Sequence, residues 1–106
     1  MNSGADGSAG EPSDSPPVLS RVVTICNMRG LHARAAAKFV ALAERFDASV
    51  EVVKDGQSVS ARSIMGLMML GAGPGSTVRL SAEGFDAKEA LDAIAELIEA
   101  GFHETD

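Results

Sequence analysis

Between Arg21 and Ala100 the spacing of apolar residues switches repeatedly between a two-residue and a three-to-four-residue repeat. This alternation restricts the chain to a fold that mixes strands and helices. Arg21–Cys26 alternates around Val23 and Ile25 and is rich in β-branched residues, which predicts a strand. From Ala33 to about Arg45 the positions Ala36, Phe39, Val40, Ala43 and Phe46 make one apolar stripe of a helix. Its many alanines favour the helix and let it approach a sheet closely. Ser49–Lys54 alternates again, Asp55-Gly56 is a hairpin turn signal, and a partner strand runs from Gln57 to about Ala61.

The second half repeats the pattern. Ser63–Leu70 predicts a short helix with Ser63 as N-cap and Ile64, Leu67 and Met68 facing inward. Met68 is expected in the core, whereas Met65 and Met69 suit either the core or a contact surface. Gly71–Gly75 is rich in helix and strand breakers and reads as a turn; it lacks the Lys-Ser/Thr that completes a nucleotide-binding loop. Ser76–Glu83 predicts a fourth strand through Val78 and Leu80. Asp86 with Glu89 three residues on resembles a capping box. The helix behind it runs to about Ala100 with Ala87, Ala90, Leu91, Ile94, Leu97 and Ile98 inward, and Gly101 suits its stop. Phe102 can pack back, and residues 103–106 are expected to fray. The order β-α-β-β-α-β-α predicts an α+β sandwich of two layers, with the helices on one face of the sheet.

A chain of 106 residues supports one small domain. Residues 1–19 are expected to form a disordered leader, because Gly, Ser, Ala, Asp, Glu and Pro up to Pro17 cannot bury enough surface to offset ordering. This stretch has neither the basic start nor the apolar run of a secretory signal. The domain is placed at 20–102 and a C-terminal tail at 103–106. No segment approaches the roughly 20 apolar residues of a membrane span, and a single cysteine, Cys26, suits the cytoplasm.

The net charge of −6 is unevenly divided: −3 over residues 1–20, +3 over 21–85 and −6 over 86–106. An acidic total argues against general nucleic-acid binding. The basic residues Arg29, Arg34 and Lys38 nevertheless gather near His32, a patch suited to a phosphate or an acidic protein partner.

Gly30-Leu31-His32-Ala33-Arg34 places an imidazole at the opening of a helix and a guanidinium two residues on. The first turn of a helix leaves N–H groups without intrahelical partners and favours anions. Arg34 adds a planar fork suited to phosphate oxygens. The arrangement suggests reversible phosphorylation of His32. A histidine at a helix start is also commonly a cap or a surface residue, and the spacing alone leaves both roles open. A metal site is not expected, since the other histidine is His103 and Cys26 has no partner at zinc spacing.

Three stretches carry a family resemblance: 27–36 (Asn-Met-Arg-Gly-Leu-His-Ala-Arg-Ala-Ala), 61–71 (Ala-Arg-Ser-Ile-Met-Gly-Leu-Met-Met-Leu-Gly) and 78–84 (Val-Arg-Leu-Ser-Ala-Glu-Gly). In this order the chain resembles HPr, the histidine-containing phosphocarrier family of the bacterial phosphotransferase system. The resemblance implies an open-faced sandwich, a four-stranded antiparallel sheet covered on one side by three helices. It implies that phosphorylated enzyme I passes a phosphoryl group to Nδ1 of His32. Arg34 would be the active-site arginine, and the N–H groups of Ala33, Arg34 and Ala35 would face the phosphoryl group. An enzyme II-type histidine would accept the group next, without a cofactor, and the protein would act as a monomeric transfer intermediate rather than an independent turnover enzyme.

Many family members have Pro where this chain has Ala35, which implies an altered transfer rate or partner preference. Ser63 is at once a helix cap and the position that HPr kinase/phosphorylase modifies in some members. Two alternatives accompany the main expectation: a carrier for a nitrogen-type regulatory acceptor instead of sugar uptake, and a non-catalytic binding module with the same fold.

Overall fold

The computed structural model describes residues 17–105, so the expected leader up to position 16 and Asp106 lie outside the described residues. The elements are β1 (Leu19–Thr24), α1 (Ala33–Ala43), β2 (Ser49–Lys54), β3 (Gln57–Ser60), α2 (Ile64–Met69), β4 (Thr77–Glu83) and α3 (Ala87–Glu99), closed by a three-residue turn at Gly101–His103. The first strand starts earlier than the apolar alternation indicates, because Leu19 pairs with Ala82 and Ser20 with Ser81; position 19 belongs to the sheet, not to a leader.

The four strands form one antiparallel sheet in the order β1-β4-β2-β3. Val23 pairs with Val78 and Val52 with Leu80, so their side chains share one face, and all four are buried. On the other face Val22 pairs with Arg79 and Glu51 with Ser81, and Val22 is 65% exposed. One covered and one open face make the two-layer α+β sandwich with three helices that the sequence predicts. The hairpin turns at Asp55 (φ 50°) and Gly56 (φ 81°), the pair of positive φ angles that a tight two-residue turn between twisted strands requires.

The helices cover the sheet unequally. α1 buries Ala35, Ala36, Phe39, Val40 and Ala43. α3 buries Ala87, Ala90, Leu91, Ile94, Ala95 and Ile98, with Leu97 only half-buried. α2 is six residues long and buries Leu67 alone. Met68, expected in the core, is 40% exposed, and so is Ile64. A helix of barely two turns can direct only one large side chain at the core, and Leu67 takes that position. Ser63 caps it as expected, its Oγ accepting the Gly66 N–H at 2.9 Å.

The start of α3 departs from the capping box. The Asp86 side chain makes no cap bond; its Oδ2 accepts the backbone N–H of Asp47 at 2.8 Å and ties the loop before β2 to α3. At the other edge Arg21, on the core face of the outer strand, reaches Asp92 of α3 at 3.0 Å, and Lys88 reaches the same carboxylate at 2.8 Å. The two cations hold the Asp92 carboxyl below its ordinary range, the hydrogen bond from Lys88 contributing most.

Candidate functional site

His32 stands at the N-cap of α1 with an extended backbone (φ −75°, ψ 177°), and its side chain caps nothing. Its carbonyl accepts the N–H of Ala36 at 2.8 Å, the first bond of the helix. Among the described residues, the N–H groups of Ala33, Arg34 and Ala35 therefore have no acceptor. The sequence expectation of an imidazole beside an open helix start is met in the fold.

The loop before His32 is fixed from two sides. Gly30 has φ +62°, and its Cα approaches the 71–75 turn so closely that only a hydrogen fits there. Leu31 then donates its N–H to the Ala72 carbonyl at 3.0 Å and buries its own side chain. The Gly-rich turn, read from sequence only as a breaker, is thus the platform on which the histidine loop rests. From the other side Asn27, buried, donates through Nδ2 to the Gly30 carbonyl at 2.9 Å.

The end of the chain supplies the third wall. The turn after α3 folds residues 103 and 104 back over the start of α1, with the His103 and Glu104 N–H groups donating to the Ala100 and Gly101 carbonyls at 3.1 Å each. Phe102 and His103 adopt left-handed backbone (φ 57° and 59°), a conformation that costs roughly 1–2 kcal/mol for each residue with a Cβ. Two contacts offset that cost. The Phe102 ring is fully buried, and its carbonyl accepts Lys38 Nζ at 2.7 Å. Lys38 is therefore committed to the strap as well as to the basic patch in which the sequence places it.

Glu104, reached by the strap, touches the candidate nucleophile. One carboxylate oxygen bonds His32 Nε2, and the other accepts Asn27 Nδ2 at 2.9 Å. The side chains of His32 and Glu104 are 15% and 9% exposed. The hydrogen bond from His32, then that from Asn27, hold the Glu104 carboxyl below its ordinary value, with Lys38 assisting and partial burial opposing. Both partners of Asn27 Nδ2 are acceptors, which fixes the amide orientation and leaves Asn27 Oδ1 buried without a partner among the described residues. Such an orphan costs about 1–3 kcal/mol and is retained here beside the histidine.

Arg29, His32, Arg34, Lys38, His103, Glu104 and Thr105 line a cleft of about 170 Å³. The structure brings His32 and Arg34 together on it, and Arg34 forms no ion pair among the described residues. Ser63 lies apart, capping α2, and does not line the cleft. Sequence reasoning missed Glu104 and the work of Asn27. The only local hint was an apolar Phe102 directly after the helix stop at Gly101.

A family model described as "PTS HPr component phosphorylation site" matches residues 19–100. The chain belongs to the HPr family. A phosphocarrier protein NPr of Shewanella violacea is 51% identical over 81% of this chain and 94% of its own length. A phosphocarrier protein HPr of Cupriavidus necator is likewise 51% identical, over 82% of this chain and 98% of its own length. Among solved structures, an HPr from Thermoanaerobacter tengcongensis superposes with a TM-score of 0.79 at 46% identity, covering 83% of this chain and 99% of that one. All four strands and three helices of this HPr-family phosphocarrier, with the loop at 27–36, lie within the matched span. The strap at 101–105 lies past its end.

Proposed function

We propose that His32 accepts a phosphoryl group on Nδ1 from phosphorylated enzyme I and passes it to a histidine of an enzyme II-type acceptor in the cytoplasm. The observation that carries this reading is His32 at the N-cap of α1, directly before first-turn N–H groups that have no acceptor among the described residues, in a chain of the HPr family. A neutral imidazole has one free lone pair, which attacks phosphorus without a separate base. The Nδ1 lone pair forms the new N–P bond while the donor's bond breaks and its electron pair returns to the donor atom. Phosphoryl transfer needs positioning and charge stabilisation above all. Arg34 and the N–H groups of Ala33, Arg34 and Ala35 supply both. An exposed helix start stabilises an anion by roughly 0.3–1 kcal/mol, a grip mild enough to let the group move on.

Docking would use the cleft rim together with Ile64, Met65, Met68 and Met69, all at least 40% exposed on or beside the face of α2. Exposed methionines adapt to more than one partner, as a carrier with a donor and an acceptor requires. Phosphorylation of Ser63 by a kinase of the HPr kinase/phosphorylase type would place about −1.5 to −2 charges beside this surface and slow transfer from enzyme I.

A second reading assigns a nitrogen-type regulatory acceptor in place of a sugar-uptake acceptor. Ala35 instead of Pro, and the likeness to an NPr, favour it. Offering the phosphorylated protein both acceptor types at equal concentration separates the two, the faster acceptor naming the branch.

The first test is labelling with enzyme I and phosphoenolpyruvate. Acid-labile phosphate on the wild type and none on His32→Ala is the expected result. An unlabelled wild type beside an active enzyme I overturns the carrier reading in favour of a binding module.

A further inference from the structure

We infer that Glu104 is a positioning residue for phosphoryl transfer: its carboxylate holds the His32 ring with the hydrogen on Nε2 and the free lone pair on Nδ1. The inference rests on the reading of His32 as the phosphoryl acceptor and adds a residue outside the family-matched span.

An ionised carboxylate only accepts hydrogen bonds, so the ring nitrogen that meets Glu104 must be the one bearing hydrogen. In a neutral imidazole the other nitrogen then carries the lone pair. Nδ1 has no hydrogen-bond partner among the described residues, so that lone pair is free to attack. Without the carboxylate the ring would distribute between two tautomers and could rotate about its side-chain bonds. Either change removes a fraction of the molecules from the reactive state.

The carboxylate is itself held rather than merely nearby. Asn27 Nδ2 fixes its second oxygen at 2.9 Å. Phe102, fully buried two residues before it, and the Lys38–Phe102 bond of 2.7 Å anchor the backbone that delivers it. Transfer leaves the Nε2 hydrogen in place, and the phosphorylated ring gains positive charge that the adjacent carboxylate offsets. The carboxylate meets the ring at Nε2, across Cε1 from the nitrogen where phosphorus would arrive, and it leaves the first-turn N–H groups uncovered.

The test compares wild type with Glu104→Ala by two measurements on the full chain. The ¹⁵N shifts of the His32 ring, followed upward in pH until they stop changing, report the tautomer of the neutral ring. Single-turnover transfer from saturating phosphorylated enzyme I reports the rate. The wild type should be almost wholly Nε2–H, and the variant should relax towards the mixture of a free imidazole. Transfer in the variant should slow by roughly tenfold to a hundredfold, by analogy with the loss of outer-shell partners of metal-ligating histidines. Unchanged exchange of the sheet amides establishes that the domain is intact. A variant that keeps the wild-type tautomer, or transfers at the wild-type rate, overturns the inference. A wild type that takes no phosphoryl group overturns the carrier reading beneath it, an outcome distinguishable because the variant then has no rate to lose.

Discussion

A Cβ built on Gly30 would lie 2.2 Å from the carbonyl oxygen of Ala72 and 2.8 Å from the Cα of Gly73. The histidine loop and the Gly-rich turn therefore meet backbone to backbone, and the Leu31 N–H completes the joint. Gly30→Ala adds a methyl group where neither backbone can yield, at a φ of +62° that disfavours any Cβ. We expect a loss of about 3 kcal/mol in urea unfolding, a large single-residue effect with a named steric cause. Phosphoryl acceptance should fall even where the variant is still folded, because the displaced loop carries His32.

The strap should respond to acid in a defined direction. The Glu104 carboxyl is held below its ordinary value of 4.5 by the His32 and Asn27 hydrogen bonds. A carboxylate with a lowered folded value adds stability above its unfolded value and loses it as the pH falls through the folded one. Amide exchange at His103 and Glu104, whose N–H groups bond the Ala100 and Gly101 carbonyls, should thus stay slow at about pH 5 and accelerate only below 4.5. Acceleration already between pH 6 and 5 would show that the strap is held by something other than this carboxylate.

The parts of the fold legible in the sequence are those set by near neighbours. The hairpin at Asp55-Gly56 needs only two residues of suitable conformation, and the Ser63 cap bonds a group three residues away. The stripe of α1 repeats often enough over eleven residues to define a face. α2 is too short for such a repeat, so the inward position assigned to Met68 had no periodicity to test it. Asp86 had the right spacing for a capping box but was drawn to Asp47, 39 residues away. The site divides in the same way. His32 and Arg34 are adjacent in sequence and announce themselves by motif. Glu104 meets His32 across 72 residues, brought there by a left-handed turn at Phe102 that no local propensity encodes.

Ser63 offers a separation of structural from regulatory roles. Ser63→Ala removes the bond to the Gly66 N–H and should cost about 1 kcal/mol in thermal unfolding while leaving transfer from enzyme I close to wild type. Ser63→Asp retains an acceptor at a helix start that tolerates negative charge, so its stability should stay near wild type. Its rate of acceptance from enzyme I should drop nonetheless, because the charge stands beside the exposed methionines of α2. Equal rates for Ser63→Asp and wild type would remove the regulatory reading and leave the cap.

Asn27 is the residue whose change discriminates best between a scaffold and a working site. Its amide donates to Gly30 and Glu104 at 2.9 Å each, while its own oxygen is buried without a partner among the described residues. Asn27→Asp keeps the shape but replaces the donor with a second oxygen. That oxygen would face the Gly30 carbonyl and the Glu104 carboxylate, two acceptors, one of them of like charge. The strap should open, and exchange at His103 and Glu104 should become fast at neutral pH. Asn27→Ala removes the donor without adding charge and eliminates the orphaned oxygen, so its cost should be about 1–2 kcal/mol, with the strap partly retained through Phe102 and Lys38. The charge-bearing variant should therefore be the more damaging of the two, although its side chain is nearly the same size as that of asparagine. If instead both variants keep the strap as closed as in the wild type, the Asn27–Glu104 bond is not what holds the loop and the strap together.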